Sequence, residues 1–178
     1  MASSETDGSN VAMFIDYDNI NIGSHEAINT YCDFDIIVDE AKKYGHIVLS
    51  NLYLDTTRKH NRSLQYNLYL KGIKTEYAPS FEIPGGDKKS LADPMIICDM
   101  LKILYEQPHI NTFFLVSGDK DFVPVVRHIS MYKLQKQIVV VGIQDTTSQL
   151  MIDECAKYDN VEYLDYVTMY RLKEYFAQ

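Results

Sequence analysis

The chain has 178 residues, a formal net charge of −8 and an apolar fraction of 46%. This length suits one domain with a sizeable core, and the composition is that of an ordinary globular protein. The acidity argues against a protein that coats nucleic acid through bulk charge, and no apolar run of about 18 residues is present to span a membrane.

In chain order, the opening MASSETDGSN has neither the basic nor the apolar region of a signal peptide. A disordered tail over residues 1–10 and a single domain over 11–178, cytoplasmic and with no membrane attachment, are therefore expected. VAMFID (11–16) reads as a buried strand. FDIIVDEAKKYG (34–45) places Ile36, Ile37, Ala41 and Tyr44 at helical spacing and stops at Gly45. HIVLSNLYLD (46–55) is a strand, NRSLQYNLYLKG (61–72) a helix ending at Gly72, and IKTEYAP (73–79) a strand. SFEIPGGDKKS (80–90) is punctuated as a loop. LADPMIICDMLKILYEQ (91–107) is the longest helix, with Pro94 in its first turn. TFFLVSG (112–118) is a strand and 121–133 a helix with Pro124 near its start. A strand (137–143), a helix (148–158), a short strand (161–164) and a closing helix (167–177) follow. Cys32, Cys98 and Cys155 lie far apart without a metal-binding spacing, which fits a reducing compartment. Each is expected to be a small buried hydrophobe.

Alternating helices and near-continuous apolar strands predict an α/β fold with a parallel sheet between helical layers. Ligands of such sheets bind outside the carboxyl ends of the strands, where the strand order reverses. Two aspartate clusters fall at strand carboxyl ends: Asp16 and Asp18 after the first strand, Asp119 and Asp121 after the fourth. Asp93 begins the long helix and Asp99 follows six residues later. That spacing is about 600° of rotation, so these two face different ways. Crowded like charges repel, and burial disfavours their ionised forms. A divalent cation removes the conflict. Oxygen-only ligands suit Mg²⁺ or Mn²⁺ and not zinc, and such ions support phosphoryl and phosphodiester chemistry.

These passages resemble the NYN domain, a LabA-like branch of the PIN-like ribonuclease superfamily. FIDYDNI resembles the family's first strand ending in D-x-x-N, here Asp16 and Asn19. KKSLADPMIICDML resembles the loop lysine followed by D-x5-D, here Asp93 and Asp99. FFLVSGDKDFVPVV resembles the strand followed by S-G-D-x-D-F-x-P, and VVVGIQDTTSQLMIDECAKY the closing strand and helix. The resemblance covers roughly residues 11–165. It implies a Rossmann-like, PIN-like three-layer α/β/α sandwich, a Mg²⁺ or Mn²⁺ site and cleavage of RNA. Carried over by position, Asp16, Asp93, Asp119 and Asp121 are the implied metal ligands and catalytic residues. Asn19 would orient the first loop or a phosphate oxygen, and Ser117 would bond a ligand carboxylate. Asp18 and Asp99 are expected to stand behind the metal ligands or on the substrate side. Relatives often carry A-D-x-F in the last helix, whereas this chain has Ala156-Lys157-Tyr158-Asp159.

Arg58, Lys59 and Arg62 begin a helix at the inferred rim, Lys88 and Lys89 lie in the Gly-rich loop, and Lys120 sits inside the aspartate motif. These six are expected to contact phosphates of a single-stranded or structured RNA, and Tyr17, Tyr53 and Phe81 are candidates for stacking on its bases. The leading expectation is a metal-dependent ribonuclease acting on single-stranded RNA. One alternative is a silent scaffold of the same family that binds RNA or protein. Another is a haloacid dehalogenase-like phosphatase using Asp16-Tyr17-Asp18 as a nucleophile motif, although Ile20 stands where that family needs Thr or Val. A homodimer is a further possibility for building the substrate groove.

Overall fold

The computed structural model describes residues 8–58 and 62–177. Positions 1–7 of the expected tail lie outside the described residues, and Asn10 already belongs to the first strand. Chain order is β1 (Asn10–Asp16), α1 (Tyr17–Ile28), α2 (Phe34–Lys42), β2 (His46–Leu54), α3 (Arg62–Leu70), β3 (Lys74–Tyr77), β4 (Ser80–Glu82), β5 (Lys88–Ser90), α4 (Ala92–Glu106), β6 (Thr112–Val116), α5 (Val123–Tyr132), β7 (Gln137–Gly142), α6 (Gln149–Cys155), β8 (Val161–Asp165) and α7 (Tyr166–Phe176).

Six of these strands form one sheet in the order β3-β2-β1-β6-β7-β8, every neighbouring pair parallel. The central strands are continuously apolar between their ends because both of their faces are covered. Period-two alternation then splits each strand between two cores. Ala12, Phe14, Phe113, Leu115, Ile138 and Val140 pack with α4, α5 and α6. Val11, Met13, Ile15, Phe114, Val116, Val139 and Val141 pack with α1, α2, α3 and α7. Phe14 and Phe113 stack across the β1–β6 pair at 6.3 Å. Each such buried side chain contributes about 1.5–3 kcal/mol of burial. The result is the expected three-layer α/β/α sandwich. Among the described residues, no helix is long and apolar enough to cross a membrane.

From β1 the chain winds outward through β2 to β3, then returns to the other side of β1 as β6 and winds outward through β7 to β8. The reversal therefore falls between β1 and β6, whose carboxyl ends carry the two aspartate clusters. Gly45 makes the return from α2 into β2 at φ +144°, where an added Cβ would lie 2.2 Å from the Ser9 carbonyl oxygen. Only glycine fits that turn.

The structure differs from the sequence expectation in four places. Residues 17–28, assigned no element from their pattern, form α1. Asp16 caps it, and its buried residues are Ile20, Gly23 and Ser24; two of these three are small, so the apolar stripe that marks a helix is faint. The expected loop 80–90 contains an antiparallel hairpin pairing Ser80 with Ser90, Phe81 with Lys89 and Glu82 with Lys88. The expected helix 121–133 is divided into a 3₁₀ turn (Lys120–Phe122) and α5. Cys98 is exposed on α4 while Cys32 and Cys155 are buried, because α4 covers the sheet with its Ile96, Met100, Ile103 and Leu104 face.

Candidate metal centre

Asp16 ends β1 and is buried. One carboxylate oxygen accepts the Asn19 N–H at 3.4 Å, which caps α1, and the other accepts the Ser117 hydroxyl at 3.1 Å. Ser117 Oγ accepts in turn from the Asp119 N–H at 3.2 Å, and Asn19 Oδ1 accepts from the Gly118 N–H at 3.0 Å. Asp119 Oδ1 accepts the Asp121 N–H at 2.9 Å and caps the 3₁₀ turn. Short-range caps on two neighbouring strands are thus cross-linked into one polar unit at the switch point. Gly118 is required there: its Cβ would stand 2.3 Å from Thr147 Oγ1 and 2.9 Å from Thr147 Cα. Ser148 donates its N–H to the Gly118 carbonyl at 3.0 Å.

Asp93 reaches this unit from the first turn of α4, and its carboxyl lies close enough to that of Asp16 for the two to interact. Burial first, and the neighbouring Asp93 charge second, hold Asp16 well above the usual carboxylate range. Asp93 is raised by burial and then by Asp119. On its other side, one carboxylate oxygen each from Asp93, Asp119 and Asp121 lie within 4.8 Å of one another. Asp93 therefore joins two groups, a close carboxyl pair with Asp16 and an acidic triangle with Asp119 and Asp121. Among the described residues, no Lys or Arg forms an ion pair with any of the four. A divalent ion bonded to oxygens at roughly 2.0–2.6 Å draws its ligands nearly this close. The donor set fits Mg²⁺ or Mn²⁺ with a small contraction of the triangle.

Three of the four aspartates, Asp16, Asp93 and Asp119, line a cleft of about 320 Å³ together with the α1 residues Asp18, Ile22 and Glu26, and Thr146. Asp18 and Asn19 are both in it. Asp99 is turned away from Asp93, as its spacing predicts, and accepts the Tyr53 hydroxyl at 2.6 Å. Tyr53 is buried and Tyr17 stacks on Phe34, so neither ring is presented for base stacking. Phe81 is exposed. Arg58 faces Asp55 at 3.8 Å and donates to Ser80 Oγ at 3.1 Å, tying β2 to the hairpin. Lys88, Lys89 and Lys120 are exposed at the rim. Arg62 opens α3; its side chain and all of Lys59 lie outside the described residues. Sequence reasoning missed Ile22, Glu26 and Thr146. The first two would have followed from recognising α1, since 18, 22 and 26 fall on one helical face.

A family model, the NYN domain, matches residues 10–162. The chain belongs to the NYN family. The NYN match runs from β1 into β8 and includes all four aspartates. A protein of unknown function from Vibrio parahaemolyticus has a similar crystal structure, 25% identical, with a TM-score of 0.74 over 93% of this chain and 97% of that chain. No curated protein matches the chain. Lys157, just after α6, binds the buried Glu154 at 2.7 Å. Glu154 also receives two bonds from Arg127, at 2.7 and 2.8 Å, and one from Tyr158 at 3.0 Å. Lys157 and Arg127, both half exposed, thus close an ionic cluster over the buried Glu154 carboxylate.

Proposed function

We propose that this NYN domain is a metal-dependent ribonuclease that cuts phosphodiester bonds of single-stranded RNA. The observation that carries this reading is the convergence of Asp16, Asp93, Asp119 and Asp121, from three separate chain segments, with no ion pair from the described residues to neutralise them. Asp93, Asp119 and Asp121 would hold the ion, with Asp16 against Asp93 from behind. The ion, Mg²⁺ or Mn²⁺, would stabilise charge on the phosphate and acidify a bound water. With Asp93 on the cation, Asp16 would be ionised, because the positive charge offsets the burial and repulsion that raise its proton affinity. Its bonds from Ser117 and the Asn19 N–H then keep its ionised carboxylate in place. Asp18, in the first turn of α1 and in the cleft, accepts a hydrogen bond from water beside the phosphate. Lys88, Lys89 and Lys120 meet flanking phosphates as point charges.

The phosphatase alternative asks Asp16 to be a free nucleophile. Both of its oxygens are instead engaged by Asn19 and Ser117, which favours a holding role. The test is incubation of the protein with end-labelled single-stranded RNA in Mn²⁺, Mg²⁺ or EDTA, with Asp119→Asn in parallel. The expected result is cutting that requires the metal and is lost at least ~100-fold in the variant, the scale of a lost transition-state charge interaction. A folded wild-type protein that leaves several RNAs intact in either metal would sink the nuclease reading in favour of a binding scaffold.

A further inference from the structure

The cleft has two unlike walls. One is α1, whose residues 18, 19, 22, 23 and 26 all line it. From Asp18 to Glu26 this wall is about 12 Å long. The opposite wall includes Ser90, the last residue of the hairpin that carries the exposed Lys88 and Lys89. Among the described residues lining the cleft there is no Lys or Arg. A phosphate chain is repelled by the Asp18 and Glu26 side and attracted to the hairpin side. The α1 wall is nevertheless not a plain acidic surface. Ile22 is 55% exposed on it, and Ile22 and Glu26 also line a second hollow of about 250 Å³ with Asn21, His25 and Tyr31. Tyr31 is 69% exposed, and its ring lies 5.4 Å from that of His25. Two contiguous hollows therefore share an apolar side chain and a carboxylate and end on an exposed aromatic pair. A concave surface that sets exposed apolar and aromatic side chains beside a few polar groups is suited to seat a ligand.

We infer that the α1 wall seats the bases of the RNA, with Ile22 and Tyr31 as apolar and stacking surfaces and Glu26 as a selector for bases that carry an amino group. This inference rests on the ribonuclease reading for the identity of the ligand. An ionised carboxylate only accepts hydrogen bonds. Adenine, cytosine and guanine offer it amino hydrogens, and the carboxylate–cytosine amino contact is an established pairing. Uracil offers one N–H set between two carbonyl oxygens, and those oxygens meet Glu26 with like polarity. Stacking on Tyr31 is indifferent to base identity because every base has a π face. Affinity and selectivity are thus carried by different residues.

The test is fluorescence anisotropy with short oligo-C and oligo-U RNAs, on the Asp119→Asn chain in Mn²⁺ so that the probes stay intact. The amide oxygen introduced by this substitution can still accept the Asp121 N–H, and neither wall is touched. Oligo-C is expected to bind ~10-fold or more tightly than oligo-U, the scale of one base-edge contact. Adding Glu26→Ala should bring that ratio below ~3-fold. Adding Tyr31→Ala should weaken both RNAs alike, as loss of a stacking surface does. Equal binding of the two RNAs by the parent chain, or a ratio that survives Glu26→Ala, would overturn the inference. Cutting by the wild-type protein separates the two readings: selective binding without cutting removes the nuclease activity and leaves the base wall, whereas cutting without selective binding removes the base wall alone.

Discussion

Asp16 bears a sharp conflict, because the carboxylate that the proposed site would use is one whose ionised form the fold disfavours. Burial and the Asp93 charge raise its proton affinity, so without a divalent cation the folded chain holds a proton that the unfolded chain has released. Stability must then fall as pH rises above the ordinary carboxylate range. Mn²⁺ should reduce that slope by favouring the ionised carboxylates, and binding should release protons. Asp16→Asn keeps an acceptor for the Asn19 N–H and discards the costly charge. It is expected to raise the urea midpoint at pH 7 in EDTA, and to weaken Mn²⁺ binding in calorimetry by ~10-fold or more, the scale on which removing a group that orients a ligand acts. A lower midpoint in EDTA would show that Asp16 serves the fold more than the site.

At the scale of elements, the site depends on the ends of β1 and β6 staying in register while the segment after β7 closes over them. Thr147 packs where side chains on Gly118 and Gly142 would be; its hydroxyl accepts the Ile143 N–H at 3.0 Å and bonds to the Tyr163 hydroxyl at 3.1 Å. Gly118→Ala should cost about 1–3 kcal/mol in chemical unfolding, the range for overpacking. It should also lower Mn²⁺ affinity, because any shift at residue 118 moves Asp119. Affinity unchanged in a destabilised variant would mean that the acidic triangle tolerates movement of this strand end. The β4–β5 hairpin predicts a different readout. Replacing Lys88 and Lys89 together with Ala should weaken all RNAs alike and lower the salt-dependence slope by roughly one per lysine that meets a phosphate. An unchanged slope would place these lysines off the RNA path.

Across the whole molecule, two sets of carboxylates pull stability in opposite directions with pH. Glu154 is held down to about 2 by its bonds from Arg127 first and then from Lys157 and Tyr158. Asp55 is held down to about 2 by the Ser80 and Thr57 hydroxyls. Their contribution is present above the ordinary carboxylate range and is lost as pH falls toward 2. Asp16 and Asp93 act in the other direction, their contribution declining as pH rises from that same range. In EDTA the chain should be most stable near about pH 4.5–5, between the two limbs, and Mn²⁺ should move the optimum toward neutrality. Glu154→Gln should cost about 2–3 kcal/mol at pH 7, the range for charge-assisted bonds. It should also flatten the acid limb while leaving the limb above about pH 5 unchanged. Melting curves across pH test both statements, and an optimum near pH 7 in EDTA would refute the first.

By itself the sequence determined the six strands of the main sheet, most of the helices and the family. Continuous apolar runs specify buried parallel strands, and S-G-D-x-D-F-x-P after such a run can be read without a structure. It also placed Asp16 and Asp119 on one rim, because a parallel sheet sends every strand end the same way. Only the tertiary structure decided which aspartates meet. The helical spacing separates Asp93 from Asp99, but the packing of α4 across β1 and β2 is what brings Asp93 to Asp16 and sends Asp99 to Tyr53. The α1 wall was hidden for a related reason. Its helix buries one large side chain and two small ones, so its pattern is weak, and Ile22 and Glu26 acquire a common cleft only when the strands order the rim around them. Local patterns record what each segment buries against the sheet. A site at a switch point is made from segments distant in sequence, and their distances exist only after the sheet has ordered them.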